Sequence, residues 1–188
     1  PTFLELARRI AALGARVAIH LRDRAATGRA LADGAAALRA ALAGSGTPVI
    51  INARPDIAAA IAADGVQLGQ GDLGIRDARV VLRRGWIGCS VHTMDEAQAA
   101  AREGADYLLA GSTWASASHL GQAPHGTDFV ARIVSAGLPV IAIGGVTPER
   151  ARELPATGAH GVAAIRAIWD ARDPAMAVQE MLEAWEAK

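Results

Sequence analysis

Seven short runs of β-branched or apolar residues, each bounded by Gly, Pro or Asp, recur along the chain: VAIHL (17–21), PVIIN (48–52), GVQLG (65–69), WIGCS (86–90), DYLLAG (106–111), PVIAIGG (139–145) and GVAAI (161–165). Between them lie segments rich in Ala, Leu and Arg. GRALADGAAALRAALAG (28–44), TMDEAQAAAREG (93–104) and TPERARELPATG (147–158) have the composition and spacing of amphipathic helices. Strict alternation of strand and helix requires parallel strands, and runs that stay apolar suit strands covered on both faces. Three joins between helix and strand, AADGVQLG, GADYLLAG and GAHGVAAI, also resemble one another, as copies of one βα unit would.

An open doubly wound sheet and a closed barrel both satisfy this pattern. The barrel is favoured because the chain opens on a helix-like segment, PTFLELARRIAALG (1–14), that calls for a strand ahead of it. The expected fold is therefore α/β, a (β/α)8 TIM barrel over residues 1–188 as a single domain, with its first strand lying before Pro1. A sheet with two free edges and no place for an eighth strand would overturn this.

With 188 residues, 52% of them hydrophobic, the chain can build one sizeable core, and no stretch reads as a linker. The 19 basic and 19 acidic residues balance, so neither a nucleic-acid partner nor a polybasic membrane surface is expected. Cys89 has no second cysteine to pair with, and no long apolar run or signal-peptide pattern is visible, so the expected location is cytoplasmic. Lysine occurs only at Lys188, which removes Schiff-base chemistry as a plausible barrel activity.

Barrel sites sit at the carboxyl ends of the strands, so the polar residues closing each run are the candidates. They are His20, Arg22 and Arg24; Asn52 and Arg54; Gln70 and Asp72; Ser90 and His92; Ser112, Thr113, Ser116, Ser118 and His119; and Gly144 with Gly145. While the chain remains extended, His20, Arg22 and Arg24 share one face. Three arginines near one rim keep their charge and call for an anion. Gly144 and Gly145 allow backbone N–H groups to approach a phosphate, and Thr147, ahead of Pro148 and Glu149, reads mainly as a helix cap. His92 reads as a helix-start residue, His125 as part of a loop, and His160 as structural, at the rim away from the site. Asp72 is no metal cage by itself, although Mg²⁺ bound with a phosphate needs only one or two carboxylates.

Taken together, IHLRDR, IINARPDIAAA, DGVQLGQGDL, IGCSVHTMDEAQAA, GADYLLAGSTW, PVIAIGGVTPER and GAHGVAAIRAIW resemble, in order and over nearly the whole chain, the superfamily of thiamin phosphate synthase and TenI, a thiazole tautomerase. The resemblance implies a barrel with a strand before Pro1, a homodimer, and a small phosphorylated thiazole or a pyrimidine diphosphate as ligand. The synthase pattern has Gln-x-Arg-x-Lys where this chain has His20, Arg22 and Arg24, and Asn-Asp where it has Asn52 and Ala53. Its second metal-binding carboxylate falls on Asp72. Its Thr-x-Thr-Lys loop falls on Ser116, Ala117, Ser118 and His119. The tautomerase branch carries His on that first run and lacks the Asp after Asn, but it places a histidine where this chain has Ser112.

On this comparison the tautomerase is the first expectation. It aromatises a thiazole carboxylate phosphate by proton transfer without a cofactor, with His20 and His119 as candidate catalytic groups titrating near neutrality. Arg22, Arg24, Asn52, Arg54, Asp72, Ser90, Ser112, Ser116 and Ser118 are the expected substrate-binding residues. Gly144 and Gly145, with Ala164 and Ile165 at the start of the last barrel helix, are expected to bind phosphate, beside an Arg166 that stands where the family has a small hydroxyl residue. The alternatives are a Mg²⁺-dependent thiamin phosphate synthase and a non-catalytic barrel that binds a phosphorylated ligand.

Overall fold

The computed structural model describes residues 2–115 and 124–187. Each of the seven runs forms a strand: β1 (Ile19–Leu21), β2 (Val49–Asn52), β3 (Gly65–Leu68), β4 (Trp86–Val91), β5 (Tyr107–Ala110), β6 (Val140–Ile143) and β7 (Gly161–Ala163). The described helices are α1 (Phe3–Ala11), α2 (Gly28–Ala41), α3 (Pro55–Ala60), α4 (Ile75–Val81), α5 (Met94–Glu103), α6 (Gly126–Val134), α7 (Pro148–Ala151), α8 (Arg166–Trp169) and α9 (Pro174–Glu186). Strand order in the sheet follows chain order from β1 to β7. A doubly wound sheet reverses its order at a switch point, so this order removes that alternative. The chain divides into two compact units, Pro1–Gly88 and Cys89–Lys188.

In the first unit β1, β2 and β3 pair in parallel, with Ile19 opposite Val49 and Ile51 opposite Val66. Thr2 starts α1 with a capping box shared with Glu5, and the Thr27 hydroxyl accepts the Ala30 N–H to start α2. The inner stripe of α2, Leu31, Ala35 and Leu38, is buried with Leu42 at its end, alongside Ile50, Ile51, Val66 and Leu68. Complete burial of Leu38 contributes roughly 1.5–3 kcal/mol relative to exposure. Thr47, a buried hydroxyl, donates to the carbonyls of Ala11 (3.3 Å) and Gly14 (3.0 Å), joining the end of α1 to the approach to β2 without an unsatisfied polar group.

In the second unit β5, β6 and β7 pair in parallel, with Leu108 opposite Val140 and Ala142 opposite Val162. Phe129, Val130 and Ile133 of α6 and Val178 and Met181 of α9 supply buried apolar surface. Asp173 caps α9, accepting from the N–H groups of Ala175 and Met176. The helix expected over 147–158 is shorter than its sequence pattern. It is α7 of four residues, followed by a 3₁₀ turn at Pro155–Thr157. Pro155 has no N–H to return to Ala151, so an α-helix cannot continue through it.

Candidate functional site

Because β1, β2 and β3 run parallel, their carboxyl ends lie along one edge of the first unit. His20 sits mid-strand in β1, opposite Ile50, and shares a side-chain hydrogen bond with Asn52 at the end of β2. The residue as a whole is exposed, yet the protein packed around its side chain pushes the pKa down to about 4, the nearby Arg22 charge adding to this and the Asn52 bond opposing it. The imidazole is therefore neutral at pH 7 and is a weak base, which is a correction to the expectation of a group titrating near neutrality.

A second correction concerns the row of alternate residues. β1 stops at Leu21, so strand geometry carries the shared face no further than His20 and its neighbours. Asp23 makes the turn: its Oδ1 accepts the N–H groups of Ala25 (2.9 Å) and Ala26 (3.1 Å), which puts Arg24 in a bend. Arg22 and Arg24 are both exposed.

At the end of β2, Asn52 is in register with Gln67 of β3. Partners in register on parallel strands project on the same face, so the two amides are neighbours. Gln67 is 3% exposed, and its Nε2 donates to the Leu68 carbonyl at 3.3 Å. Sequence reading passed over it; the available signal was one polar residue inside an otherwise apolar strand. Ala53 adopts a left-handed φ of 58°, its N–H donating to the Gln67 carbonyl at 2.8 Å.

This turn delivers Arg54 to Asp56, which it grips with two hydrogen bonds, Nε to Oδ1 at 2.8 Å and Nη2 to Oδ2 at 2.6 Å. The bond holds the Asp56 carboxyl below its ordinary pKa and raises that of Arg54. A ligand carboxylate seeking Arg54 thus meets a competitor that sequence reading did not identify. After β3, Asp72 Oδ2 accepts the Gly69 N–H at 2.7 Å, fixing the carboxylate in an exposed turn. No cluster of three or more His, Cys, Asp or Glu side chains suited to a metal occurs among the described residues.

The second unit presents Ser90 half-buried in β4, followed by His92, whose N–H donates to Glu96 Oε2 at 2.6 Å as part of the start of α5. Ser112 and Thr113, just past β5, are buried. Their segment is joined to the end of β6: the Thr113 N–H and hydroxyl both donate to the Ile143 carbonyl (2.8 and 3.1 Å), and the Trp114 N–H donates to the Gly144 carbonyl at 2.9 Å. His125, whose N–H donates to the Ser112 carbonyl, stacks its ring 4.5 Å from Phe129. Ser116, Ser118 and His119 lie outside the described residues.

Gly144 and Gly145 have left-handed φ values of 102° and 63°. A Cβ at Gly144 would sit 2.8 Å from Ser112 Cα, and one at Gly145 would sit 2.6 Å from the Ala115 carbonyl oxygen. These glycines admit a second backbone, a reason sequence reading did not separate from phosphate binding. Thr147 caps α7 as expected, accepting the Arg150 N–H at 3.4 Å. Arg150 then reaches back: Nη1 donates to the Gly145 carbonyl at 2.6 Å, and the guanidinium lies 5.4 Å from the centre of the Trp114 ring. Neither Trp114 nor Arg150 was singled out from sequence, because nothing local links positions so far apart.

Ala164 is half-buried, and Ile165 and Arg166 are exposed at the start of α8, which has only four residues. His160 lies at the amino end of β7, its N–H donating to the Val140 carbonyl, consistent with a structural role. None of the described helices is long and apolar enough to cross a membrane.

Residues 1–168 match the family model described as thiamine monophosphate synthase. The thiamine-phosphate synthase of Natronomonas pharaonis is 41% identical over 173 residues, covering 89% of this chain and 81% of that protein. That of Methanoculleus marisnigri is 42% identical over 170 residues, covering 89% and 80%. The solved structure of a thiamine phosphate pyrophosphorylase from Pyrococcus furiosus superimposes with a TM-score of 0.89 at 34% identity, covering 98% of this chain and 90% of that one.

Proposed function

The chain belongs to the thiamine monophosphate synthase family, and from that premise we propose that it is a thiamine-phosphate synthase, a transferase joining hydroxymethylpyrimidine diphosphate to a thiazole phosphate. The observation that carries this reading is its identity of 41% and 42% to two proteins of that name, across most of their lengths. It reverses the order reached from sequence, which put the tautomerase first. His20 supports the reversal, since an imidazole bonded to Asn52 and neutral at pH 7 is a poor proton shuttle. The closed eight-stranded barrel belongs to the same proposal, with β1 and β7 as the end members of the observed order.

The reaction forms a bond from the thiazole nitrogen to the pyrimidine methylene carbon and breaks the bond from that carbon to the diphosphate oxygen, releasing pyrophosphate. The protein's task is to stabilise the negative charge that collects on the leaving group. The exposed Arg22 and Arg24 are the cations suited to it. The amides of Asn52 and Gln67 are neutral donors and acceptors matched to the edge of a heteroaromatic ring. Asp72 is the residue that would hold Mg²⁺, and its single carboxylate in an exposed turn fits a cation that arrives with a diphosphate. The bound ion would offset diphosphate charge. Ser90 and Ser112 are short hydroxyl donors, and the backbone at Gly144 and Gly145 is the candidate seat of the thiazole phosphate. The test is Mg²⁺-dependent pyrophosphate release from the two substrates, with release abolished in Asp72→Ala; activity in that variant equal to wild type would remove Asp72 from the metal site.

One observation keeps a second reading in view. Ala53 stands where the synthase pattern has a carboxylate. If the protein is instead a thiazole tautomerase, it accelerates aromatisation of the thiazole tautomer without metal, and His20→Ala removes that gain; no acceleration over buffer ends this reading.

A further inference from the structure

We infer that Arg150 is a positioning residue that presets the phosphate-binding backbone after β6, an inference that rests on the synthase reading for its substrate. Two contacts made by one side chain carry it. Nη1 donates to the Gly145 carbonyl at 2.6 Å, and the guanidinium carbon lies over the Trp114 ring, 5.4 Å from its centre. Charge-assisted bonds of this length are among the stronger ones available to a backbone carbonyl. In a trans peptide, the C=O of one residue and the N–H of the next point in opposite directions. Fixing the Gly145 carbonyl on Arg150 therefore fixes the Val146 N–H away from it.

Val146 is 3% exposed, and its N–H finds no acceptor among the described residues. A buried backbone donor left without a partner is rare and costly, and a phosphoryl oxygen would satisfy it. The second contact secures the other wall. Trp114 is already bonded through its N–H to the Gly144 carbonyl, so an arginine held against its ring ties the segment after β5 to the turn after β6. Lysine would keep the charge but lose the planar fork and the flat face that the two contacts use.

The experiment compares wild type, Arg150→Lys and Arg150→Met. It measures steady-state constants for thiazole phosphate, calorimetric binding of thiazole phosphate and of its dephosphorylated alcohol, and thermal melts. In both variants, affinity for thiazole phosphate falls about tenfold, Lys retaining more than Met, while affinity for the alcohol changes less than twofold and kcat at saturation stays within about threefold. A merely structural role would weaken phosphate and alcohol together, and that outcome overturns the inference. Equal binding of thiazole phosphate by wild type and Arg150→Lys, in a folded variant, also overturns it, as does failure of wild type to bind thiazole phosphate. If wild type binds but does not turn over, and binding still falls in the variants, the inference stands and the synthase reading fails.

Discussion

Replacing Gly145 with alanine separates two reasons for a glycine at the end of β6. If the residue is there only to let an anion approach the backbone, Gly145→Ala harms ligand binding and leaves the fold nearly untouched. The geometry requires more. At φ 63° an L residue carries a left-handed penalty of about 1–2 kcal/mol. The new Cβ would also lie 2.6 Å from the Ala115 carbonyl oxygen and 2.9 Å from Trp114 Cβ. A main-chain atom cannot move aside as the tip of a long side chain can, so overpacking adds about 1–3 kcal/mol. Stiffening of the unfolded chain returns roughly 0.4–1 kcal/mol. The expected net loss is about 1–5 kcal/mol, below the roughly 5–15 kcal/mol typical of a folded domain, so the variant remains measurable. Gly137→Ala is the control: its φ is 84°, and a Cβ there meets nothing within 4 Å, so it carries strain without overlap. Urea unfolding of both variants should show Gly145→Ala less stable than Gly137→Ala by at least about 1 kcal/mol. Equal losses would refute the close approach of the two backbones.

Other expectations are simpler. His20 has its folded pKa depressed from 6.5 to about 4, so between those values the unfolded chain binds more protons. Stability should therefore fall as pH drops through that window, by less in His20→Gln, and an NMR titration of the ring placing its pKa near 6.5 would remove the cause. Asp56→Asn should change stability by no more than about 1 kcal/mol, since the pair is surface-exposed, while releasing Arg54 to lower the KM for the pyrimidine diphosphate; an unchanged KM would show that Arg54 does not serve that anion. Ala53→Gly should relieve about 1–2 kcal/mol of left-handed strain against roughly 0.5–1 kcal/mol of added chain entropy, leaving the protein slightly more stable in urea. A clear loss would mean that the Ala53 methyl packs usefully.

The strands were legible because buried parallel strands must be apolar along their whole length, and PVIIN or PVIAI cannot hide that. The strand order from β1 to β7 agrees with the regular alternation of strands with helices such as α2 and α5. Where the sequence misled, the cause was local geometry or distant pairing. Alternation past Leu21 assumed continued extension, but the Asp23 turn ends it. Arg54 looked like a free cation because a partner two residues on, Asp56, also looks like a helix-start acid. The close approach of Gly144 and Gly145 to Ser112, Trp114 and Ala115 was not legible, because those residues lie far away in sequence. Gln67 differs from the nearby amides Asn52 and Gln70 in that it occupies a buried strand interior, a property of register rather than of composition.

The central claim is tested most directly by incubating the purified protein with Mg²⁺, hydroxymethylpyrimidine diphosphate and thiazole phosphate, and in parallel with the thiazole carboxylate tautomer alone. Thiamin phosphate and pyrophosphate forming in equal amounts in the first mixture, with no acceleration of aromatisation in the second, is the expected result. Aromatisation in the second mixture with no pyrophosphate in the first would contradict it.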